Sequence, residues 1–152
     1  MIFIKKVTIP HLTGKEKRRA YIYVPDEAKT NFDVRYPVLY MFDGHNIFLD
    51  EDAAFGKSWG METYMQTTCR DLIIVAVECN HEGNNRLMEY SPVTYRNKKH
   101  GFIPGKAPVY MKWLVTQLKP YVDAEFEAAV VRSVLTTKVM KLIREAAEIE
   151  EI

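Results

Sequence analysis

Two nearly continuous apolar runs, Tyr36–Phe42 and Leu72–Val77, constrain this chain more than any other feature. A strand with one wet face alternates apolar and polar residues. A run without alternation fits a strand covered on both faces, as in a parallel sheet. Between the runs, Trp59–Thr68 has helical character, with Ser58 as candidate N-cap. Strand, helix, strand is a βαβ unit, and its crossover is expected to be right-handed.

Upstream, Ile2–Ile9 and Ala20–Val24 read as strands stopped by Pro10 and Pro25, and their short link predicts an antiparallel hairpin. Asp26–Arg35 is a polar connection. Downstream, apolar residues recur at helical spacing over Val109–Phe126, where Pro120 is expected to kink or end the helix. Glu127–Ile152 carries an apolar stripe of Val131, Leu135, Val139, Leu142, Ala146 and Ile149, which predicts a helical tail. Its opening, Val130–Thr137, is rich in β-branched residues and also reads as a short strand. The expected organisation is one domain, with residues 1–126 as its main part and 127–152 as its tail.

Length and composition narrow the function classes. A chain of 152 residues buries a core without disulfides or metal. The net charge of +1 gives no basis for a nucleic-acid or membrane partner. The first residues lack the pattern of a secretory leader, and no apolar stretch approaches the roughly 20 residues of a membrane span. Cys69 and Cys79 are too few for a disulfide framework. Cys79, at the end of an apolar run, reads as a buried thiol, and reduced cysteines suggest the cytoplasm.

Two segments carry a family resemblance. One is Tyr36-Pro-Val-Leu-Tyr-Met-Phe-Asp-Gly-His-Asn-Ile-Phe, followed by Phe55-Gly-Lys-Ser-Trp-Gly-Met-Glu. The other is Leu72-Ile-Ile-Val-Ala-Val-Glu-Cys-Asn, followed by Asn85-Arg-Leu-Met-Glu-Tyr-Ser-Pro. Together they resemble the putative esterases, relatives of enterochelin esterase, feruloyl esterase and esterase D. The likeness covers about Arg18 to Phe126. It implies an α/β class, a three-layer, incomplete α/β-hydrolase fold with a small mixed sheet and a C-terminal helix. By the family's strand order, the strands run first, second, fourth, third, leaving the third at an edge. The turn at Gly44 and His45 then corresponds to the family's oxyanion loop, and its backbone amides are the remnant of that hole. Asp43, Arg86, Glu89 and Tyr90 are candidates for a substrate cleft. For Arg86 and Tyr90 the plainer expectation is a structural link, with the guanidinium paired and the phenol packed.

The departure from the family is as informative. A nucleophile elbow, Gly-x-Ser-x-Gly, should follow the helix that ends near Phe126. No glycine occurs after Gly105, no histidine after His100, and Ser133 is the single later serine. The expected function is therefore a carboxylic-ester hydrolase of this family without a catalytic residue in this polypeptide. The alternative is a non-catalytic module that associates with itself. No cofactor and no metal are expected. Asp43, His45, His81 and Glu82 offer zinc-type donors after the two parallel strands, but without tight ligand spacing they read as loop residues. Asp50-Glu51-Asp52 reads as a solvated loop.

Overall fold

The computed structural model describes residues 1–14, 17–29 and 35–126. Its main sheet holds β1 (Ile2–Val7), β2 (Arg18–Tyr23), β3 (Val38–Met41) and β4 (Ile73–Val77) in the order β1-β2-β4-β3. β2 is antiparallel to β1 and to β4, whereas β3 runs parallel to β4. This is the expected mixed sheet, with β3 at an edge among the described residues. All five residues of β4 are buried, which is why that run shows no alternation.

The chain gathers into two compact units, whose described parts are residues 1–7, 17–29, 35–79 and 122–126 in the first and 8–14 and 80–121 in the second. In the first unit, the register pairs Tyr21 with Ala76 and Tyr23 with Ile74. These four side chains share one face of the sheet and form a core with Ile47, Phe48 and Met65. Phe48 stacks on Tyr23 with ring centroids 6.3 Å apart. Met65 comes from α1 (Met61–Thr68), the crossover helix between β3 and β4. Ser58 is not its N-cap. Gly60 takes that position with φ 62°, because the chain enters the helix through a left-handed residue that glycine adopts without strain.

The second unit contains α2 (Asn85–Tyr90), the hairpin of β5 (Tyr95–Asn97) and β6 (Gly101–Ile103), and α3 (Ala107–Trp113). The hairpin strands are three residues each, too short to show a period in the sequence. Pro108 stands in the first turn of α3, where its missing N–H costs nothing. Tyr110 is buried edge-on against Tyr90 and Trp113.

Pro120 does not end the helix. A π-helical turn over Leu114–Leu118 intervenes, and α4 (Lys119–Glu125) carries the helix on. A proline inside a regular α-helix clashes with the carbonyl four residues back and cannot bond to it. Widening the preceding turn relieves both demands. The tail 127–152, with its apolar stripe and the segment Val130–Thr137, lies outside the described residues. Among the described residues no helix is long and apolar enough to cross a membrane.

Candidate functional site

The turn after β3 is built by close approach. Asp43 adopts φ 54°, a left-handed conformation, and a 3-10 turn follows over Gly44–Asn46. The Asn46 amide donates to the Asp43 carbonyl at 2.8 Å, and that of Ile47 to the Gly44 carbonyl at 3.2 Å. Gly44 itself is not left-handed. A Cβ there would stand 2.3 Å from the Ala76 carbonyl oxygen and 3.0 Å from the Tyr21 ring. The glycine is needed because the turn lies directly on β4, while Asp43 bears the unusual backbone angle.

The connection from this turn to α1 is tied at many points. The Ala54 amide donates to Asn46 Oδ1, and the Trp59 amide to the Asn46 carbonyl. Asp50 accepts the Ser58 amide at 2.8 Å and the Ser58 hydroxyl at 2.7 Å, with Lys57 Nζ at 3.0 Å. The Ser58 amide, then its hydroxyl and the Lys57 ammonium, hold the Asp50 carboxyl down at about 2. Asp52 is not a solvated loop residue either. It pairs with the Arg19 guanidinium and accepts the Tyr21 hydroxyl at 2.9 Å. Arg19 also grips Glu78 in a two-pronged contact, Nε to Oε2 at 3.1 Å and Nη2 to Oε1 at 2.8 Å. The Glu78 bond raises the Arg19 pKa above its ordinary value, and burial does the same for the Tyr21 phenol. This network pins the acidic loop to the sheet. Sequence reading missed it, since Arg19, Asp52 and Glu78 share no spacing.

His45 is 4% exposed and Cys79 is 2% exposed. A ring nitrogen of His45 and the Cys79 sulfur lie within 4.8 Å of each other. β3 and β4 are adjacent and parallel, so their carboxyl ends bring these two residues together. The expected buried thiol is confirmed, and its histidine neighbour was not foreseen. Cys69 is an exposed free thiol.

Arg86, Glu89 and Tyr90 stand on α2 in the second unit, and His81 and Glu82 precede that helix in the same unit. The Arg86 guanidinium lies over the Tyr90 ring at 5.5 Å, and Tyr90 packs edge-on against Tyr110. Glu89 is 1% exposed and its Oε1 accepts the Asn80 amide at 2.9 Å. Asn80 donates through Nδ2 to the Leu12 carbonyl and accepts the Glu82 amide, both at 2.9 Å. Glu89 and Asn80 line a half-open cavity of about 110 Å³ with His11 and Gly14. The Ser91 hydroxyl donates to the Val93 carbonyl at 2.6 Å.

The family model described as "Putative esterase" matches residues 13–137. Among solved structures, an IroE-like serine hydrolase from Shewanella oneidensis aligns with a TM-score of 0.61 at 20% identity, covering 84% of this chain and 40% of that one. The BES protein from Bacillus cereus aligns with a TM-score of 0.52 at 20% identity, covering 84% and 47%. A siderophore hydrolase, EstB, from Aspergillus nidulans aligns with a TM-score of 0.52 at 15% identity, covering 82% and 44%. At these identities the likeness is one of fold, and this chain spans less than half the length of each. A search of curated proteins gives no match.

Proposed function

Since this chain belongs to the putative esterase family, we propose that it carries the oxyanion side of a carboxylic-ester hydrolase and does not turn over esters by itself. The observation behind this reading is the seating of Gly44 on β4. A Cβ at 2.3 Å from a backbone oxygen leaves room only for glycine, so the turn is held against the sheet as an oxyanion loop requires. In such a site the amides near Gly44 and His45 donate to the oxygen that gains charge when a nucleophile attacks the ester carbonyl. Amides aimed that way lower the barrier by on the order of 3 kcal/mol. The attack needs a serine activated by a base. Ser58 and Ser91 are poor choices, because the Ser58 hydroxyl donates to Asp50, whose lowered pKa makes it a weak base, and the Ser91 hydroxyl donates to the Val93 carbonyl. Gly-x-Ser-x-Gly occurs as Gly56-Lys57-Ser58-Trp59-Gly60 in the connection from β3 to α1, whereas no glycine follows the helix that ends near Phe126, after which the family's elbow is expected.

The test is p-nitrophenyl acetate hydrolysis by the full chain and by Ser58→Ala, Ser91→Ala and Ser133→Ala. All four are expected at the background rate. Turnover well above background that one substitution abolishes would overturn the reading.

A second reading, self-association without turnover, draws on the edge position of β3 among the described residues. An uncovered parallel edge offers backbone groups and apolar side chains to another copy of the chain. Light scattering coupled to gel filtration at micromolar concentration is expected to show a dimer or larger assembly. A monomer stable on dilution, and unchanged by Leu39→Lys or by Leu142→Asp in the tail, would remove this alternative.

A further inference from the structure

We propose that the β5–β6 hairpin of the second unit is a docking face for an anionic lipid surface. The net charge of +1 averages over unlike regions. From Tyr90 to Tyr121, all within the second unit, the chain has no Asp or Glu, yet it holds Arg96, Lys98, Lys99, Lys106, Lys112 and Lys119. Arg96, Lys98 and Lys99 are exposed on the hairpin, and none of the three pairs with a carboxylate among the described residues. The register sets Arg96 directly opposite Phe102, so the two share a face. Their neighbours Tyr95 and Ile103 point the other way, and Ile103 is buried. Phe102 is thereby left outward, 60% exposed, beside the cations.

The hairpin presents these groups on a fixed frame. Asn97 Oδ1 accepts the Lys99 amide at 2.7 Å and shapes the tip. Asn84 Nδ2 donates to the His100 carbonyl at 3.1 Å. At the base, Thr94 Oγ1 accepts the Gly105 amide at 3.0 Å, and a Cβ on Gly105 would stand 2.4 Å from the Val93 carbonyl carbon. Cations held together without a counter-charge attract a surface of fixed negative charge. An apolar side chain beside them selects among such surfaces. Phe102 can sink below a layer of headgroups while the lysines stay among the phosphates. Val93, 61% exposed at the base of the hairpin, suits acyl chains in the same way and is no stacking partner for nucleic-acid bases. Two weak signals, charge and an apolar anchor, together give reversible attachment. The proposal is independent of the esterase reading: such a face needs neither a nucleophile nor an ester.

The experiment is co-sedimentation of the full chain with vesicles of phosphatidylcholine alone and of phosphatidylcholine with about one-third phosphatidylserine. Binding is expected to the anionic vesicles only, and it should weaken as salt is raised. Each cation near such a surface strengthens attachment about fivefold, so Lys98→Gln combined with Lys99→Gln should weaken it about twentyfold. Phe102→Ser should weaken it about tenfold. Arg70→Gln, which removes an exposed cation of the first unit, should bind like the unmodified chain. Circular dichroism checks that each variant is folded, and Arg96→Gln serves if the double variant is not. No binding to the anionic vesicles, equal binding to the neutral ones, or full binding by the folded hairpin variants would overturn the proposal. So would a single-stranded oligonucleotide that binds more tightly than the vesicles and loses affinity in the same variants.

Discussion

The two units satisfy their backbone groups in different ways. In the first, carbonyls and amides meet one another along the ladders of β1, β2, β4 and β3. Side chains there add pairs to those ladders, as Arg19, Glu78, Asp52 and Tyr21 do, and in the connection after β3 Asn46 and Asp50 also hold the Ala54 and Ser58 amides. In the second, side chains supply many of the bonds themselves. Asn80 holds the Leu12 carbonyl and the Glu82 amide, Glu89 holds the Asn80 amide, and Thr94 Oγ1 accepts the Gly105 amide. The difference teaches where a single substitution hurts most. Removing a side chain from a frame that is already paired costs one interaction. Removing one that closes the frame takes bonds from backbone groups as well.

Asn80→Ala carries the largest expected effect. It removes the bonds that Asn80, itself 5% exposed, makes to the Leu12 carbonyl and the Glu82 amide, and should lower unfolding stability by about 3 kcal/mol. Asn80→Asp keeps the acceptor for Glu82 and should fall between. Urea midpoints check both, and a small loss for Asn80→Ala would break the comparison. Gly44→Val comes next, at about 2 kcal/mol, since the new side chain meets the β4 backbone and one of the two must move. The same change at Gly56, where a Cβ has open space but φ is +67°, tests backbone strain alone. An unmoved midpoint for Gly44→Val would show that the turn is free to lift off the sheet.

Tyr21→Phe should cost about 1 kcal/mol, because it removes only the hydroxyl bond to Asp52 and leaves the β2 ladder intact. A loss larger than that of Asn80→Ala would reverse the ranking of the two units.

The smallest effect is expected for Asp50→Asn and appears in the pH dependence. Folding lowers the Asp50 pKa from its ordinary value of 3.8 to about 2. Its contribution is therefore complete above the unfolded value and is lost as pH falls toward the folded one. Between pH of about 4 and 2 the unmodified chain should lose stability more steeply than Asp50→Asn. Parallel curves would show that the Ser58 bonds to Asp50 add nothing in solution.

What the sequence determined by itself is local. The unbroken apolar runs marked β3 and β4 because a strand covered on both faces tolerates no polar alternation. Pro10 and Pro25 stopped the first two strand segments at the ends of the hairpin. The Asp43-Gly44 turn was legible because its residue types are those that turns demand, and the strand order followed from the resemblance those segments carry. Tertiary structure decided the rest, for reasons of distance and geometry. Which neighbour made Gly44 necessary depended on how closely the turn lies on Ala76. Whether Pro120 broke its helix depended on a π-helical turn that no residue pattern announced. The Arg19–Glu78 contact, the Asp52–Tyr21 bond and the His45–Cys79 pair each join residues far apart along the chain. Periodicity reports only on neighbours within a turn or a pleat, so these partnerships came into being only when the sheet brought their ends together.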